Sequence, residues 1–455
     1  MPDTIAAIAT IQAPSAIGIV RLTGPDTRHI LDRVFAPANG RPMSAQTPRK
    51  LVFGRALDRS GGVIDEALAV LFPGPNSYTG EDCAEIHCHG SPVVLDEVLA
   101  AAFARGARQA RGGEFTQRAF LSGRMDLIQA ESVADLIDAE SAGAARNAVG
   151  QLQGRMSRSV GGIYDALMDV VSRFYAIVDY PDEEIEPLQQ AQIEQTLAES
   201  AERLDALLAT FSRGRLLKSG VPAVILGKPN AGKSSLLNAL LGYDRAIVTD
   251  IAGTTRDTVE EKVLVGSVLL RLCDTAGIRE AADTVERLGV ERAQQAAQRA
   301  ELALLVLDGS APLTREDEEA IAAARRARRM LVLVNKADLP QVLDTAALRV
   351  RFGEVIPLSA RSGAGVDALC RAVEELFAGG ETPRGELLTN ARQAESAQRA
   401  LDAVRRAEQA LRSGLSPDAV LTDAEEALEA LAEFSGKRVR DDLVATIFSR
   451  FCVGK

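Results

Sequence analysis

Tryptophan is absent, and aromatic residues fill only 4% of the 455 positions. That scarcity excludes a surface built on base-stacking rings. Histidine occurs three times and cysteine five times. Five scattered thiols, an odd number, exclude a disulfide scaffold and fit a reducing cytoplasm. No apolar run approaches the roughly 18 residues of a membrane span. The opening MPDTIAAIATIQ carries Asp3 and no basic segment, which argues against a secretion signal. Positive charge is in deficit: 52 Lys and Arg against 63 Asp and Glu leave a net −11. A chain this acidic is not a general nucleic-acid coat. A local basic groove or a basic partner stays open. Hydrophobic residues at 46% and charged residues at 25% are ordinary for a globular chain, and the length allows two to four domains.

Four segments follow one another. Residues 1–118 mix short apolar runs with Gly and Pro; ALAVLF and CAEIHCHG read as strands with the loop GPNSYTGED between them, so an α+β domain is expected. Residues 119–217 turn helical. Leu127, Ala130, Val133, Ala134 and Ile137 recur at helical spacing, as do Ile163, Leu167, Val170, Val171, Phe174 and Ile177, then Ile193, Leu197, Leu204, Leu208 and Phe211. These stripes predict bundle core, with the acidic break YPDEEIEP between the last two. In residues 218–379 strands and helices alternate, and the runs VPAVILG, SVLLRLC, LALLVLD and RMLVLVN suit strands buried on both faces of a mostly parallel sheet. Residues 380–455 are helical again, rich in Ala, Leu and Glu, and carry FCVGK. The third segment therefore reads as an insertion between two helical stretches.

The strongest chemical signal is GKPNAGKS, Gly227 to Ser234, lying between a strand and the helical SLLNALLG. Gly227 and Gly232 let backbone N–H groups curl around phosphate oxygens, and the helix N-terminus adds positive potential. Lys233 should reach the β- and γ-phosphates, and the Ser234 hydroxyl should coordinate Mg²⁺. Three more pieces stand in the order a GTPase needs. Asp274, Thr275, Ala276 and Gly277 end the run SVLLRLC; the Asp serves the Mg²⁺ shell and the Gly N–H meets the γ-phosphate. Asn335, Lys336, Ala337 and Asp338 end RMLVLVN, and the Asp338 carboxylate can accept from guanine N1 and N2, a donor pair that adenine lacks. Ser359, Ala360 and Arg361 place an N–H near guanine O6. In TDIAGTTRD, Thr249 to Asp257, a threonine hydroxyl, that of Thr255, would complete the Mg²⁺ shell. Where Ras-like enzymes carry a water-orienting Gln, this chain has Ile278, so another group must position the water. Arg256 and Arg279 are candidate arginine fingers, though surface or switch contacts account for them as well.

Other residues admit two readings. Glu85, His87 and His89 should share one strand face, with Ala84, Ile86 and Cys88 on the other. Such a face suits a polar ligand pocket or solvent, and less readily a metal. Cys452 beside Lys455 is either a small apolar anchor or a thiol of lowered pKa. Cys83, Cys88, Cys273 and Cys370 read as structural, and His29 as a surface residue.

With these residues in hand, the chain closely resembles the MnmE (TrmE) family of bacterial tRNA-modification GTPases, in the TrmE-Era-Era-like class of P-loop GTPases. The resemblance covers nearly the whole chain. Its specific marks are GPNSYTGED, the stretch Asp126 to Ser132, the inserted GTPase segment and FCVGK. It implies an α+β folate-binding and dimerising domain over 1–118, a helical domain in two parts (119–217 and 380–455), and an inserted α/β Ras-like GTPase domain over 218–379. It implies a cytoplasmic homodimer, away from membranes, that joins MnmG, an FAD and NADH protein, in a heterotetramer; tRNA would bind mainly through that partner. The pair would place a carboxymethylaminomethyl or aminomethyl group on C5 of the wobble uridine, with carbon from a tetrahydrofolate derivative (5,10-methylene- or 5-formyl-). The GTP site would comprise Asn230, Ala231, Gly232, Lys233, Ser234 and Ser235, then Thr249, Asp250, Ile251, Ala252, Gly253, Thr254 and Thr255, with the DTAG, NKAD and SAR motifs above. K⁺ would stand in for an arginine finger, held by Asn230, Thr249, Ile251 and Thr254. Glu286 matches the catalytic Glu that orients water, Cys452 takes a role at the folate or uridine site, and Arg21, Glu85, Arg124 and Lys455 match folate contacts. Position 124 is usually Lys in the family, and Gln393 stands where His is frequent.

Two rival classes compete with this enzyme: a ribosome-assembly switch of the Era or Der kind, and a dynamin-like scaffold. The first needs a second phosphate loop or a KH-type GXXG after residue 380, neither of which is present. The second leaves FCVGK and the folate-like residues without a purpose.

Overall fold

A computed structural model describes residues 3–179, 187–243, 261–273, 294–377 and 385–437, with 447, 448, 451 and 454. The chain divides into two compact units, Met1–Ala134, Gln151–Leu204 and Glu395–Lys455 in one, Asp135–Gly150 and Asp205–Ala394 in the other.

In the first unit, short β-rich segments make a seven-stranded sheet. The strands are β1 (Ile5–Ile8), β2 (Ser15–Thr23), β3 (Phe35–Pro37), β4 (Val52–Leu57), β5 (Val63–Phe72), β6 (Cys83–Gly90) and β7 (Arg108–Gln109), in the order β3-β4-β5-β6-β2-β1-β7. Every pairing is antiparallel except β1 with β7. The period of two does the sorting. Ala6, Val20, Leu22, Ala69, Leu71, Ala84 and Ile86 form the core face with Ile30, Leu31, Val34, Leu95 and Val98, from the helices Thr27–Val34 and Pro92–Ala104. Their neighbours Ile5 and Ala7 point to the opposite face and pack with Ala110, Phe115 and Tyr78. That second face carries Arg21, which stands opposite Ala7 on one side and Glu85 on the other.

The helical stripes are buried much as their spacing predicts. Met156, Val160, Ile163, Leu167, Val170 and Phe174 line one side of the helix Arg155–Asp179, and Val420, Ala424, Ala427 and Leu431 do so in Pro417–Ser435. Two positions depart from expectation. Ile137, the last residue of Leu127–Ile137, is 47% exposed because the helix stops there. Leu207 takes the buried place expected of Leu208. The break YPDEEIEP lies largely outside the described residues.

The second unit is built on a six-stranded sheet of β8 (Val221–Leu226), β9 (Glu261–Val265), β10 (Val268–Leu272), β11 (Leu302–Asp308), β12 (Arg329–Asn335) and β13 (Val355–Pro357), ordered β13-β12-β11-β8-β10-β9. All pairings are parallel save β9 with β10. Every residue of β11 is buried, and alternate side chains feed two clusters, one through Leu304 and Val306, the other through Leu305 and Leu307. This explains why the run is apolar without alternation. The chain reverses its strand order at β8, between β10 and β11, the place where such sheets open a crevice at their carboxyl ends. Among the described residues no helix is long and apolar enough to cross a membrane.

Candidate functional site

The glycine-rich loop leaves the carboxyl end of β8 and enters the helix Lys233–Tyr243. Its turn requires unusual backbone. Asn230 sits at φ +60. Gly232 sits at φ +101, where a Cβ would come within 2.0 Å of Asn335 Nδ2. Only glycine passes there. Ala231 is buried, while Ser234 and Ser235 open the helix at the surface. Lys233 folds back so that Nζ donates to the carbonyls of Gly227 and Lys228, both at 2.8 Å. Burial pushes this ammonium's pKa down, and only carbonyls, no carboxylate, receive it among its described partners. A buried cation held by neutral carbonyls at a helix N-terminus is a seat for an anion.

One side chain ties three loops together. Asn335, at the end of β12 and 3% exposed, donates through Nδ2 to Ala231 O at 2.9 Å. Its Oδ1 accepts from Ala360 N, also at 2.9 Å. Lys336 takes φ +63, and its Nζ pairs with Asp308 Oδ2 at 2.6 Å. Ala337 N donates to Leu358 O. The Asp338 carboxylate stays in the open, held below the usual range first by a hydrogen bond from buried Ser359 and further by the charge of exposed Arg361. Two carboxylates that motif reading passed over brace this arrangement. Asp308 caps the turn at Ser310 while pairing with Lys336. Asp317, 1% exposed, takes Lys228 Nζ at 2.8 Å and the N–H of Thr314. Their signal in the sequence is faint, one Asp closing an apolar run and one in the first turn of a helix.

The remaining predicted residues of this site lie outside the described residues: Thr249, Asp250, Ile251, Ala252, Gly253, Thr254, Thr255, Arg256, Asp274, Thr275, Ala276, Gly277, Ile278, Arg279 and Glu286.

A second polar site occupies the outer face of the seven-stranded sheet. Arg21 pairs with Glu85 at 2.9 Å, both side chains under a fifth exposed. The Arg21 guanidinium lies 5.5 Å from the Tyr78 ring and 5.8 Å from that of Phe115, and it donates to Gly454 O at 3.4 Å. The other Glu85 oxygen meets His87 Nε2 at 3.2 Å. His89 turns away to Asp65 at 2.8 Å, and no described group of three or more His, Cys, Asp or Glu converges as a metal centre. Cys83 and Cys88 are buried thiols pushed up to about 12 by burial. Arg124 is exposed beside Gly80, at the far end of the Tyr78 loop, and shares no described hydrogen bond or ion pair with Arg21 or Glu85. Cys452 and Lys455 lie outside the described residues.

Tyr78 and Phe115 are the residues that sequence reading missed here; the one available signal was a Tyr inside a polar loop. Tyr78 is fixed by a 2.9 Å bond between its hydroxyl and Thr116 Oγ1. A net of Asp3, Glu81, Arg108, Glu114 and Arg118 anchors the segments that carry these rings. Burial pushes the Glu114 carboxyl up, but hydrogen bonds from Arg108 and the Arg111 N–H, with the charges of both arginines, outweigh it and hold it at about 2.

Comparison with known proteins agrees over the full length. Residues 4–124 match the family described as GTP-binding protein TrmE N-terminus, and residues 127–452 match the MnmE helical domain. A tRNA modification GTPase MnmE of Roseiflexus sp. (strain RS-1) is 45% identical, over all of this chain and 99% of its own length. Another from Symbiobacterium thermophilum (strain DSM 24528 / JCM 14929 / IAM 14863 / T) is 42% identical with the same coverage.

Proposed function

The chain belongs to the MnmE family of tRNA modification GTPases, and from that membership we propose that it is a K⁺-dependent GTP hydrolase whose turnover drives modification of the tRNA wobble uridine. The hydrolase and its place in tRNA modification follow from the family itself. One observation supports the guanine-nucleotide reading above others. The Asn335 amide holds the phosphate-loop carbonyl of Ala231 and the Ala360 N–H of the SAR loop at once, leaving Asp338 open beside Ser359.

The residues present suit a polyanionic ligand and its cations. Lys233 can exchange two carbonyls for phosphate oxygens. Ser234, with Thr255, would hold Mg²⁺. Asn230, with Thr249, Ile251 and Thr254, would hold K⁺. The cations neutralise charge that builds on the phosphates. Glu286 orients the water that attacks the γ-phosphorus as its bond to the bridging oxygen breaks, giving GDP and phosphate. Asp338 selects guanine through N1 and N2.

On the second site, the half-buried Tyr78 ring and the Glu85 carboxylate suit a flat ring with a donor edge, such as a pterin. Arg21 and Glu85, with Arg124 and Lys455, would hold a tetrahydrofolate one-carbon donor, and Cys452 would act beside it. The reaction would add a carboxymethylaminomethyl group with glycine, or an aminomethyl group with ammonium, as the nitrogen source at uridine C5, in a heterotetramer of this homodimer with MnmG and its FAD. Domain limits of 1–118, 119–217, 218–379 and 380–455 belong to the same proposal.

The test pairs two measurements. GTP turnover is compared in KCl and NaCl, and wobble nucleosides are analysed by mass in a deletion strain carrying this chain or its Lys233→Ala variant. Stimulation by K⁺ and restored nucleosides with the wild-type chain alone are expected. Equal turnover in the two salts overturns the K⁺ assignment, and unchanged nucleosides overturn the substrate.

A further inference from the structure

We propose that the arginine-rich turn at the amino-terminal edge of the six-stranded sheet is a contact surface for the sugar–phosphate backbone of tRNA. Four of the five residues 325–329 are arginine, in a chain of net charge −11. The turn joins the helix Arg315–Ala324 to β12. Arg328 N donates to Ala300 O, which sets the turn beside Arg299. The Phe352 ring lies 5.7 Å from the Arg325 guanidinium and 4.9 Å from that of Arg351, so the turn adjoins the end of the helix Thr345–Phe352, which also carries Arg349.

Six exposed guanidiniums thus gather on one edge: Arg299, Arg325, Arg326, Arg328, Arg349 and Arg351. Glu301 pairs with Arg328 and Glu318 with Arg351. Arg325 also lies within reach of the Glu318 charge; among the described residues Arg299, Arg326 and Arg349 have no carboxylate partner. Two arginines in the last turn of a helix help its dipole, but that accounts for neither the run at 325–329 nor six guanidiniums sharing two carboxylates. Planar guanidinium forks match phosphate oxygens in pairs. The rings beside this turn, Phe352 and Phe377, are half-buried under arginines, so they offer bases no open platform to stack on, and the contact is to backbone rather than to sequence. A net charge of −11 disfavours a diffuse contact with RNA over the rest of the molecule and favours a local one.

The location keeps it clear of the nucleotide. β11 and β12 each run seven residues from this edge to Asp308 and Asn335, roughly 20 Å at strand rise. RNA and GTP can therefore be held together.

The test uses the full chain and unfractionated, dye-labelled tRNA, with anisotropy read from low to moderate KCl. Arg325→Glu/Arg326→Glu/Arg349→Glu should weaken binding at least about tenfold and lower the log–log salt slope by about three, one per arginine. The matching Lys triple keeps the charge but not the paired geometry, so it should retain the wild-type salt slope and bind between the wild type and the Glu triple. GTP turnover should be unchanged in both, which also reports on folding. A control triple on the other unit, Arg33→Glu/Arg41→Glu/Arg59→Glu, alters net charge equally and should bind normally. No tRNA binding by the wild-type chain overturns the proposal. So does an unaltered slope in the Glu triple, or an equal loss in the control. None of these outcomes bears on the one-carbon site or on K⁺.

Discussion

Asp338 keeps its carboxylate exposed and ionised because Ser359, itself buried, donates to it. A neutral amide in that place keeps the shape but presents one acceptor and one donor. Asp338→Asn should therefore lose GTP affinity by about 10–100-fold, the worth of a charge-assisted hydrogen bond, and gain affinity for xanthosine triphosphate. Competition binding of the two nucleotides checks this; undiminished GTP binding would refute the base contact. Asn335 works differently. It touches Ala231 and Ala360 rather than solvent, so it shapes the site from behind. The buried ammonium of Lys233 shows the same economy: its two carbonyl partners belong to the loop that the ligand must enter.

One helix of the first unit is held by two contacts, each of which a single change can probe. The helix Glu114–Leu121 begins after Gly113, where φ is +68 and an added Cβ would come within 2.5 Å of Phe448 O. Phe448 and Phe451 pack there with Phe120, Met125 and Ala130. Gly113→Ala should lift these phenylalanines. Faster proteolysis near residue 448 and reduced tRNA modification are expected, with GTP turnover intact; unchanged cleavage would show that the seat tolerates the methyl. The same helix is tied by Glu114 to Arg108, Arg111 and Arg118. The Glu114 pKa falls from an ordinary 4.5 to about 2 on folding. A depressed carboxyl contributes stability above its unfolded value and loses it as pH falls through the folded one. Urea midpoints should drop between about pH 4.5 and 2, and Glu114→Gln should flatten that limb while lowering the midpoint at neutral pH. An equally steep limb in the variant would assign acid sensitivity to other groups.

Across the whole molecule, the chain passes between its two units at 134/135, 150/151, 204/205 and 394/395. Helical residues 135–150 belong with the six-stranded sheet. Lys218 pairs with Asp135 and Lys262 with Glu140, each at 2.6 Å, while Asn147 accepts from Gly385 N and Leu387 N. These contacts tie the sheet to segments that continue along the chain into the other unit. If hydrolysis and modification are coupled through these segments, two substitutions should separate them. Cys452→Ser should leave K⁺-stimulated hydrolysis unaltered and abolish the modified uridine. Glu286→Ala should slow hydrolysis about 10²–10⁴-fold, spare nucleotide affinity and still lose modification. Both activities are measured in both variants. Normal modification by Cys452→Ser makes the tail a packing element, and loss of its GTPase activity removes the separation.

The sequence by itself determined the periodic features. The buried runs of β8, β11 and β12, the two-residue alternation around Glu85, and the helical stripe from Ile163 to Phe174 each complete themselves within one element, because pleat and helix pitch are local. It also placed Lys233, Asn335 and Asp338, since a glycine-rich turn and a strand end demand particular residues at fixed offsets. Tertiary structure alone decided what meets what. Asn335 reaches a carbonyl 104 positions away, and Arg21 reaches one 433 positions away. Tyr78 and Phe115 became the walls of a site only when a loop and a helix closed over β2. The arginines of one turn and one helix end became a single surface only through the parallel order of β11, β12 and β13. Such partners are chosen by the closure of long chain segments over a common core, and no window of sequence contains both members of the pair.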